Sequence, residues 1–406
     1  MKLFDNIIIG AGPAGLFTAI HIKNGSVLII EKNNSAGKKL LISGSGKCNI
    51  THNGAISEFL NHYGDNHKFL KPALHAFSNV DLIAFLHENG LKTIVDKNNK
   101  VFPNTEKADD ILQILLNKCN EKSVSIHNNN TVTNIEYKED LFIITTEKNQ
   151  YSCRNLIIST GGKSYPATGS SGDGFTFAKQ LGHQIILPKP ALTPVSIQNY
   201  KMQELAGVSL QNKTIYLYQS NKKTKQHTGD IVFTHKGLSG PGILDFSRYF
   251  NNGDLLKVNL INLNSDDFKA KLTESSQKKG KISIQVFLKN YDLPKSLIKI
   301  ILQELDIESD EKLATITKNQ KTQLANSFCE YPFLIEKVGG FNVAMTTAGG
   351  VSLQEVSSKT MESKLIKKLF FTGEVLNLDG DTGGYNLQAA FSTAYLAAKT
   401  INLQQN

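Results

Sequence analysis

Gly10-x-Gly12-x-x-Gly15, with an acid sixteen residues further on at Glu31, is the spacing in this 406-residue chain that most directly implies chemistry. Each glycine has a separate task in such a turn. Gly10 allows the tight bend, Gly12 lets a pyrophosphate approach the backbone, and Gly15 lets a helix pack against a strand. The free N–H groups of the helix's first turn then face the phosphates. Glu31 ends the next strand, where a carboxylate can accept hydrogen bonds from a ribose 2′-hydroxyl, which suits FAD or NAD rather than NADP. A lone glycine fingerprint is a weak signal. Here a strand at 7–9, the turn, a helix, a strand at 27–30 and the acid follow in register, which is the arrangement that binds a dinucleotide.

A second set of residues lies near the other end of the chain. The strand at 369–372 leads into Gly373-Glu374, and Gly383-Gly384-Tyr385-Asn386-Leu387-Gln388 opens a helix at 389–399. A strand ending in Gly-Glu with a glycine pair at a helix start is what a flavin requires. Glu374 can hold ribityl hydroxyls, and the helix N-terminus near Asn386 can stabilise negative charge on the N1/O2 edge of reduced flavin. The run 41–52 places Gly44 and Gly46 at alternate positions, so backbone can approach a flat ligand, and Ser43, Cys48 and Asn49 offer polar atoms. Lys38 and Lys39 either sit over phosphates or are solvated. The hydrophobic strand at 155–159 ends in Thr160-Gly161-Gly162 and returns the chain to the cofactor sheet. Reduction through a flavin also needs a positioned acid, and Cys48, His235 and Tyr385 are the candidates. Against these stand a small buried thiol for Cys48 and a structural histidine for His235.

The elements that must position these groups follow from periodicity. Residues 68–90 read as one amphipathic helix with Gly90 as its C-cap, and 109–118 as another. Strands are expected at 131–135 and 141–146, and a helix at 175–181. Three prolines from 188 to 194 mark a departure from this sheet. Period-two alternation at 214–219 and 229–234, with a further strand at 255–261, predicts a small antiparallel barrel or sandwich. Residues 266–330 are lysine-rich and helical in pattern, a separate insert.

Composition sets the bounds. Hydrophobic residues at 40% and charged residues at 20% describe an ordinary globular chain, long enough for two or three domains. Lys2 before an apolar run imitates a signal peptide, but Asp5 and the glycines inside that run argue against one. No apolar stretch reaches eighteen residues, so no membrane span is expected. Cys48, Cys119, Cys153 and Cys329 are too scattered for a paired redox or metal motif, so reduced thiols, a cytoplasmic location and no metal site are expected. A net charge of +9 suits a polyanionic partner or simply a soluble surface.

With these blocks in order, the chain resembles the BaiN/YhiN-like family of bacterial FAD flavoproteins along nearly its whole length. The resemblance rests on GAGPAGLFTA, SGSGKCNITH, STGGKSYPATGSSGDG, FTHKGLSGPGIL, TTAGGV and FTGEVLNLDGDTGGYNLQAAFS. It implies an α/β fold: a Rossmann-like, glutathione-reductase-like FAD-binding domain at 1–190 and 340–406. This domain is interrupted by an antiparallel β-barrel-like domain at 191–264 and 331–339 and by a small helical insert at 265–330. It also implies FAD as the tightly held nucleotide. Gly10, Gly12, Ala14, Gly15, Glu31 and Lys32 match its adenosine and pyrophosphate end, and Val132 a position lining the adenine. Gly46, Cys48, Asn49, Gly373, Glu374, Asn386, Leu387 and Gln388 match the flavin end. Lys39, Thr160 and Gly161 complete the expected cofactor set. Lys47 stands where the family pattern has arginine, His52 where it has asparagine, and Asn377 where it has aspartate; these departures bear on how a substrate is oriented.

Members of this family are associated with reducing activated C=C bonds, in steroid-like enones or in ribosomal uridine, and some are labelled aminoacetone oxidases. The resemblance therefore implies a flavin oxidoreductase, with NADH or NADPH as transient donor. The favoured substrate is a uridine of ribosomal RNA, giving dihydrouridine. A small enone, a small amine and a non-catalytic FAD-containing binding protein are the alternatives. For RNA, the candidate phosphate contacts are Lys222, Lys223 and Lys225 with Lys269, Lys271, Lys278, Lys279, Lys281, Lys289, Lys295 and Lys299.

Overall fold

Asn6-Ile7-Ile8-Ile9 is a short run dominated by β-branched residues, a composition that favours a strand buried on both faces. In the computed structural model, which describes residues 2–405, it closes the strand Lys2–Ile9, and Ile7 and Ile8 are fully buried. This strand pairs in parallel with Val27–Ile30 on one side and with Gln150–Ile158 on the other. Ser125–His127 extends the sheet beyond Val27–Ile30, and Leu369–Phe371 joins in parallel beside residues 156–158. The first half of Gln150–Ile158 instead pairs antiparallel with Leu141–Thr146, which pairs with Val132–Lys138.

The parallel strands all point one way, so Ile9, Ile30, Ile158 and Phe371 deliver their following turns to one sheet edge. That carboxyl edge is where open α/β sheets bind ligands. The helices Pro13–His21 and Tyr385–Gln404 pack against each other over one face. Phe17 is their junction, fully buried with its ring 5.0 Å from both Phe391 and Phe77.

Residues 68–90 form two helices rather than one, His67–Ala76 and Asn79–Glu88. Ser78 starts the second: its hydroxyl accepts from the Asp81 N–H while the Asp81 carboxylate accepts from the Ser78 N–H, a capping box stronger than the continuous periodicity. The proline-marked stretch is a strand, Ile185–Ala191, in a separate two-stranded ribbon with Thr346–Val351. Its register slips between Ile186 and Lys189, around Pro188, which has no N–H to give a ladder.

The chain divides into two compact units, Met1–Ala191 with Phe341–Asn406, and Leu192–Gly340. In the second, six strands close a barrel in the order Val195–Ile197, Gly237–Ser239, Lys222–Phe233, Ser209–Gln219, Leu255–Asn259 and Tyr331–Val338. Ile215 and Leu217 fill its interior while the alternating Tyr216 and Tyr218 face outward, the pattern that a barrel wall imposes. The lysine-rich helices Ser265–Lys279, Lys295–Glu304 and Lys318–Cys329 are not a third unit. Phe268, Leu272, Ile298, Leu324 and Phe328 lie in one hydrophobic core with barrel residues Ile215, Leu256 and Val258. Their polar faces hid this shared core from a reading of charge alone. Among the described residues no helix is long and apolar enough to cross a membrane.

Candidate active site

The first turn is built as its spacing requires. Gly10 has φ +101°, and a Cβ there would lie 2.7 Å from the Ser159 carbonyl oxygen, so two strand ends meet at this residue. A Cβ at Gly15 would lie 2.0 Å from the Gly10 carbonyl oxygen, which is how closely the helix approaches the turn. At Gly12 the same addition meets nothing within 4 Å. No side chain caps the helix Pro13–His21, and Pro13 at its start has no N–H, so the first-turn donors around Ala14 and Gly15 are left to a ligand.

Glu31 is buried, and its carboxylate accepts from the Ala11 N–H at 2.8 Å and from the backbone and side chain of Asn33, both at 2.8 Å. The chain at 129–130 runs beside it, with the Asn130 N–H donating to the Glu31 carbonyl at 3.0 Å. Buried Val132 starts the strand two residues later, so the two ends of the expected adenosine site converge. Lys32 pairs with Asp173 at 2.6 Å and also meets Ser171, so its charge is already partnered.

At the flavin end the residues come together from across the chain. Gly373 follows the strand Leu369–Phe371 with φ +73°. The Glu374 carboxylate accepts from Lys39 Nζ at 2.6 Å, Ser164 Oγ at 3.0 Å, Thr346 Oγ1 at 3.3 Å and the Thr347 N–H at 2.9 Å. Lys39 thus faces a carboxylate, neither solvated alone nor committed to a phosphate. A small cleft beside Glu374 is lined by Tyr63, Gly373, Gly380, Asn386, Ala389 and Thr393. Asn386 closes the 380–386 loop on itself, its Oδ1 accepting from the Gly380 N–H and its Nδ2 donating to the Gly380 carbonyl, both at 2.8 Å.

The glycine run packs onto this helix start. A Cβ at Gly384 would lie 2.6 Å from the backbone of Thr51. With its amide oriented by its neighbours, Asn49 accepts from the Gly384 N–H at 3.1 Å and donates to the Thr51 carbonyl at 3.0 Å. Gly46 has φ +87° and Cys48 +58°, so the run is a tight irregular turn rather than a free loop. Gln388 is fully buried and hydrogen-bonded within the protein. Its amide accepts from Thr51 Oγ1 at 2.7 Å and donates to the Phe77 carbonyl and to Ser392 Oγ, tying the helix to its surroundings. Leu387 is half-buried in the helix's first turn. Thr160 and Gly161 sit next to the first glycine turn, as the contact a Cβ on Gly10 would make with Thr160 Cα shows.

The three candidate acids differ sharply. Cys48 is completely buried, and that burial pushes its thiol up to about 12. Tyr385 is buried as the first residue of the helix Tyr385–Gln404, its ring stacked 4.1 Å from His62. His235 lies exposed in the turn between Lys222–Phe233 and Gly237–Ser239, on the barrel unit rather than on the sheet unit. Ser164, Thr346 and Thr347, which surround Glu374, were missed by the sequence reading. They stand in the KSYP and TTAGG stretches, whose glycines drew attention away from the hydroxyls.

Two helix N-termini without side-chain caps, open space at Gly12, and a carboxylate at each end fit an extended FAD along the carboxyl edge of the sheet. This combination defines an FAD-dependent oxidoreductase. The chain belongs to the family described as HI0933-like protein Rossmann domain, which matches residues 4–400. It is 33% identical to the ribosomal RNA dihydrouridine synthase of Haemophilus influenzae, over 98% of this chain and 99% of that protein. It is 30% identical to the protein of the same name from Escherichia coli, over 99% and 98%. A 3-dehydro-bile acid delta(4,6)-reductase from Clostridium scindens is 28% identical, over 97% of each. The fold is shared with the FrdA chain of Escherichia coli quinol fumarate reductase, at 13% identity and a TM-score of 0.53, over 100% of this chain and 71% of that one.

Proposed function

We propose that the protein reduces an activated C=C bond with a hydride taken from reduced FAD, and that the bond belongs to a uridine of ribosomal RNA, giving dihydrouridine. The observation that carries this reading is end-to-end similarity to two proteins named for that product. When bound, FAD supplies the hydride from its reduced N5. The chain's own residues do the rest. The first-turn donors of Pro13–His21 would hold the phosphates, Glu31 the adenosine ribose and Glu374 the ribityl chain. The N-terminus of the helix Tyr385–Gln404 would stabilise negative charge on the reduced flavin. An acid completes the reduction.

A uracil is enone-like at C5=C6, but its base must first be unstacked to reach a flavin. Phosphate contacts hold such a strand, and Lys222, Lys223 and Lys225 on the exposed end of a barrel hairpin are suited to them. A second reading, reduction of a free steroid-like enone, is favoured by the similarity to the bile acid reductase. NADH or NADPH is the proposed donor in either case.

Deleting the gene and measuring dihydrouridine in ribosomal RNA by mass spectrometry tests the first reading. The expected result is loss of the modification, restored by the wild-type gene. Unchanged dihydrouridine, together with turnover of a free enone by the purified protein, moves the assignment to the second.

A further inference from the structure

His62 was not among the acids the sequence suggested, yet it has the geometry those three lack. It ends the short turn Leu60–His62, and Asp381 holds it at two points. The Asp381 N–H donates to the His62 carbonyl at 2.8 Å, and Asp381 Oδ2 lies 3.0 Å from His62 Nδ1. A carboxylate on Nδ1 fixes the tautomer and the ring orientation, leaving Nε2 as the position that can exchange a proton. Among the described residues Nε2 has no protein partner, and the side chain is 38% exposed, open to solvent. The ring lies 4.1 Å from that of Tyr385 at an interplanar angle of 13°, directly at the start of the helix Tyr385–Gln404.

The surrounding groups leave this role to His62. Cys48 is sealed and its thiol stays protonated, Tyr63 is buried with its hydroxyl given to the Tyr385 carbonyl at 2.9 Å, and burial pushes His52 down. His52 stands 6.4 Å from His62. Imidazole is the one side chain here that ordinarily takes up and releases protons near neutral pH.

We propose that His62, oriented by Asp381, is the general acid that protonates the substrate in the C=C reduction proposed above. The inference rests on that reading. Hydride addition to one carbon of the double bond leaves its electron pair on the neighbouring carbon. The His62 Nε2–H bond breaks as the new C–H bond forms there, leaving a neutral imidazole that regains its proton from solvent. Reduced flavin is the reductant and the C=C bond is what is reduced, so no other reactant is required.

The test uses the FAD-loaded protein, reduced chemically and mixed with 2-cyclohexen-1-one or with ribosomal RNA from the deletion strain. His62→Ala and His62→Gln are expected to slow flavin reoxidation by substrate on the order of 10²- to 10⁴-fold, with KM and FAD content unchanged. Added imidazole should restore part of the rate in His62→Ala, and Asp381→Asn should fall between wild type and His62→Gln. In the protein without substrate, ¹⁵N NMR of labelled histidine should show His62 carrying its neutral-state proton on Nδ1, and Asp381→Asn should remove that preference. Reoxidation within about threefold of wild type in His62→Gln that retains FAD, or a dominant Nε2–H tautomer, overturns the assignment. If His62→Gln restores dihydrouridine fully in the deletion strain, the acid assignment fails while the RNA reading stands. If deletion leaves dihydrouridine unchanged, the RNA reading fails and the enone rates alone decide His62.

Discussion

The two ends of the expected FAD site are built in opposite ways. The adenosine end, from Gly10 to Glu31, is one continuous strand, turn, helix and strand whose parts meet through local sheet register, Ile7 against Leu28 and Ile9 against Ile30. The flavin end joins residues separated by more than three hundred positions: Lys39 to Glu374, Thr51 to Gln388, His62 to Asp381. A local motif announces itself by spacing, because its members must be near neighbours in sequence. A site closed by distant residues carries no such signal until the chain has folded.

Substitutions can sharpen this contrast. The largest effect is expected at Gly15→Ala, where the methyl would lie 2.0 Å from a backbone oxygen that cannot move without opening the turn. Overpacking of this kind costs about 3 kcal/mol, and thermal unfolding together with lost flavin absorbance should report it. Gln388→Ala comes next, since it strands the buried Thr51 hydroxyl and removes one of the two donors to the Phe77 carbonyl, which keeps Ser392 Oγ. A loss of about 2 kcal/mol in denaturant unfolding is expected from such an unsatisfied group.

Glu374→Gln should leave the protein folded but weaken FAD binding roughly ten- to hundredfold in a titration of the apoprotein, the effect of losing a charged hydrogen-bond acceptor. A smaller, pH-dependent effect comes from the buried thiols. Burial pushes Cys48 and Cys119 from the ordinary 9.0 up to about 12. The fold therefore favours the neutral thiol, while the unfolded chain releases its proton from about pH 9. Stability should be indifferent to these groups below that pH and should fall as pH rises from 9 toward 12, a slope that Cys48→Ala should reduce. Gly12→Ala is expected to be smallest for stability, within about 0.5 kcal/mol, because its methyl meets open space and its φ is ordinary. FAD affinity should nevertheless fall there. A Gly12→Ala protein that keeps full affinity would place the pyrophosphate elsewhere.

Much of this was legible in the residues. Ile7, Ile8, Val27 and Leu28 give a buried parallel pair because β-branched and apolar runs bounded by glycine have few other places to go. The alternation of Ile215, Tyr216, Leu217 and Tyr218 foretold an antiparallel barrel or sandwich, and long-range pairing closed it as a barrel. The helix break at Ser78 was written in the Ser78–Asp81 capping pair but was masked by apolar periodicity on both sides of it. The lysine-rich helices misled because charge on an outer face says nothing about the inner one, where Phe268 and Phe328 enter the barrel's core.

By itself, then, the sequence determined the dinucleotide turn and the strand, helix and strand that flank it, which depend on residues close to one another in the chain. Only the tertiary structure decided which hydroxyls surround Glu374, that Gln388 braces the helix instead of reaching outward, and that His62 meets both Asp381 and Tyr385. The physical reason is range: turn chemistry, strand alternation and helix periodicity act between near neighbours. A charge-assisted hydrogen bond or a stacked ring pair forms only after packing has removed water and brought distant segments within a few ångströms of each other.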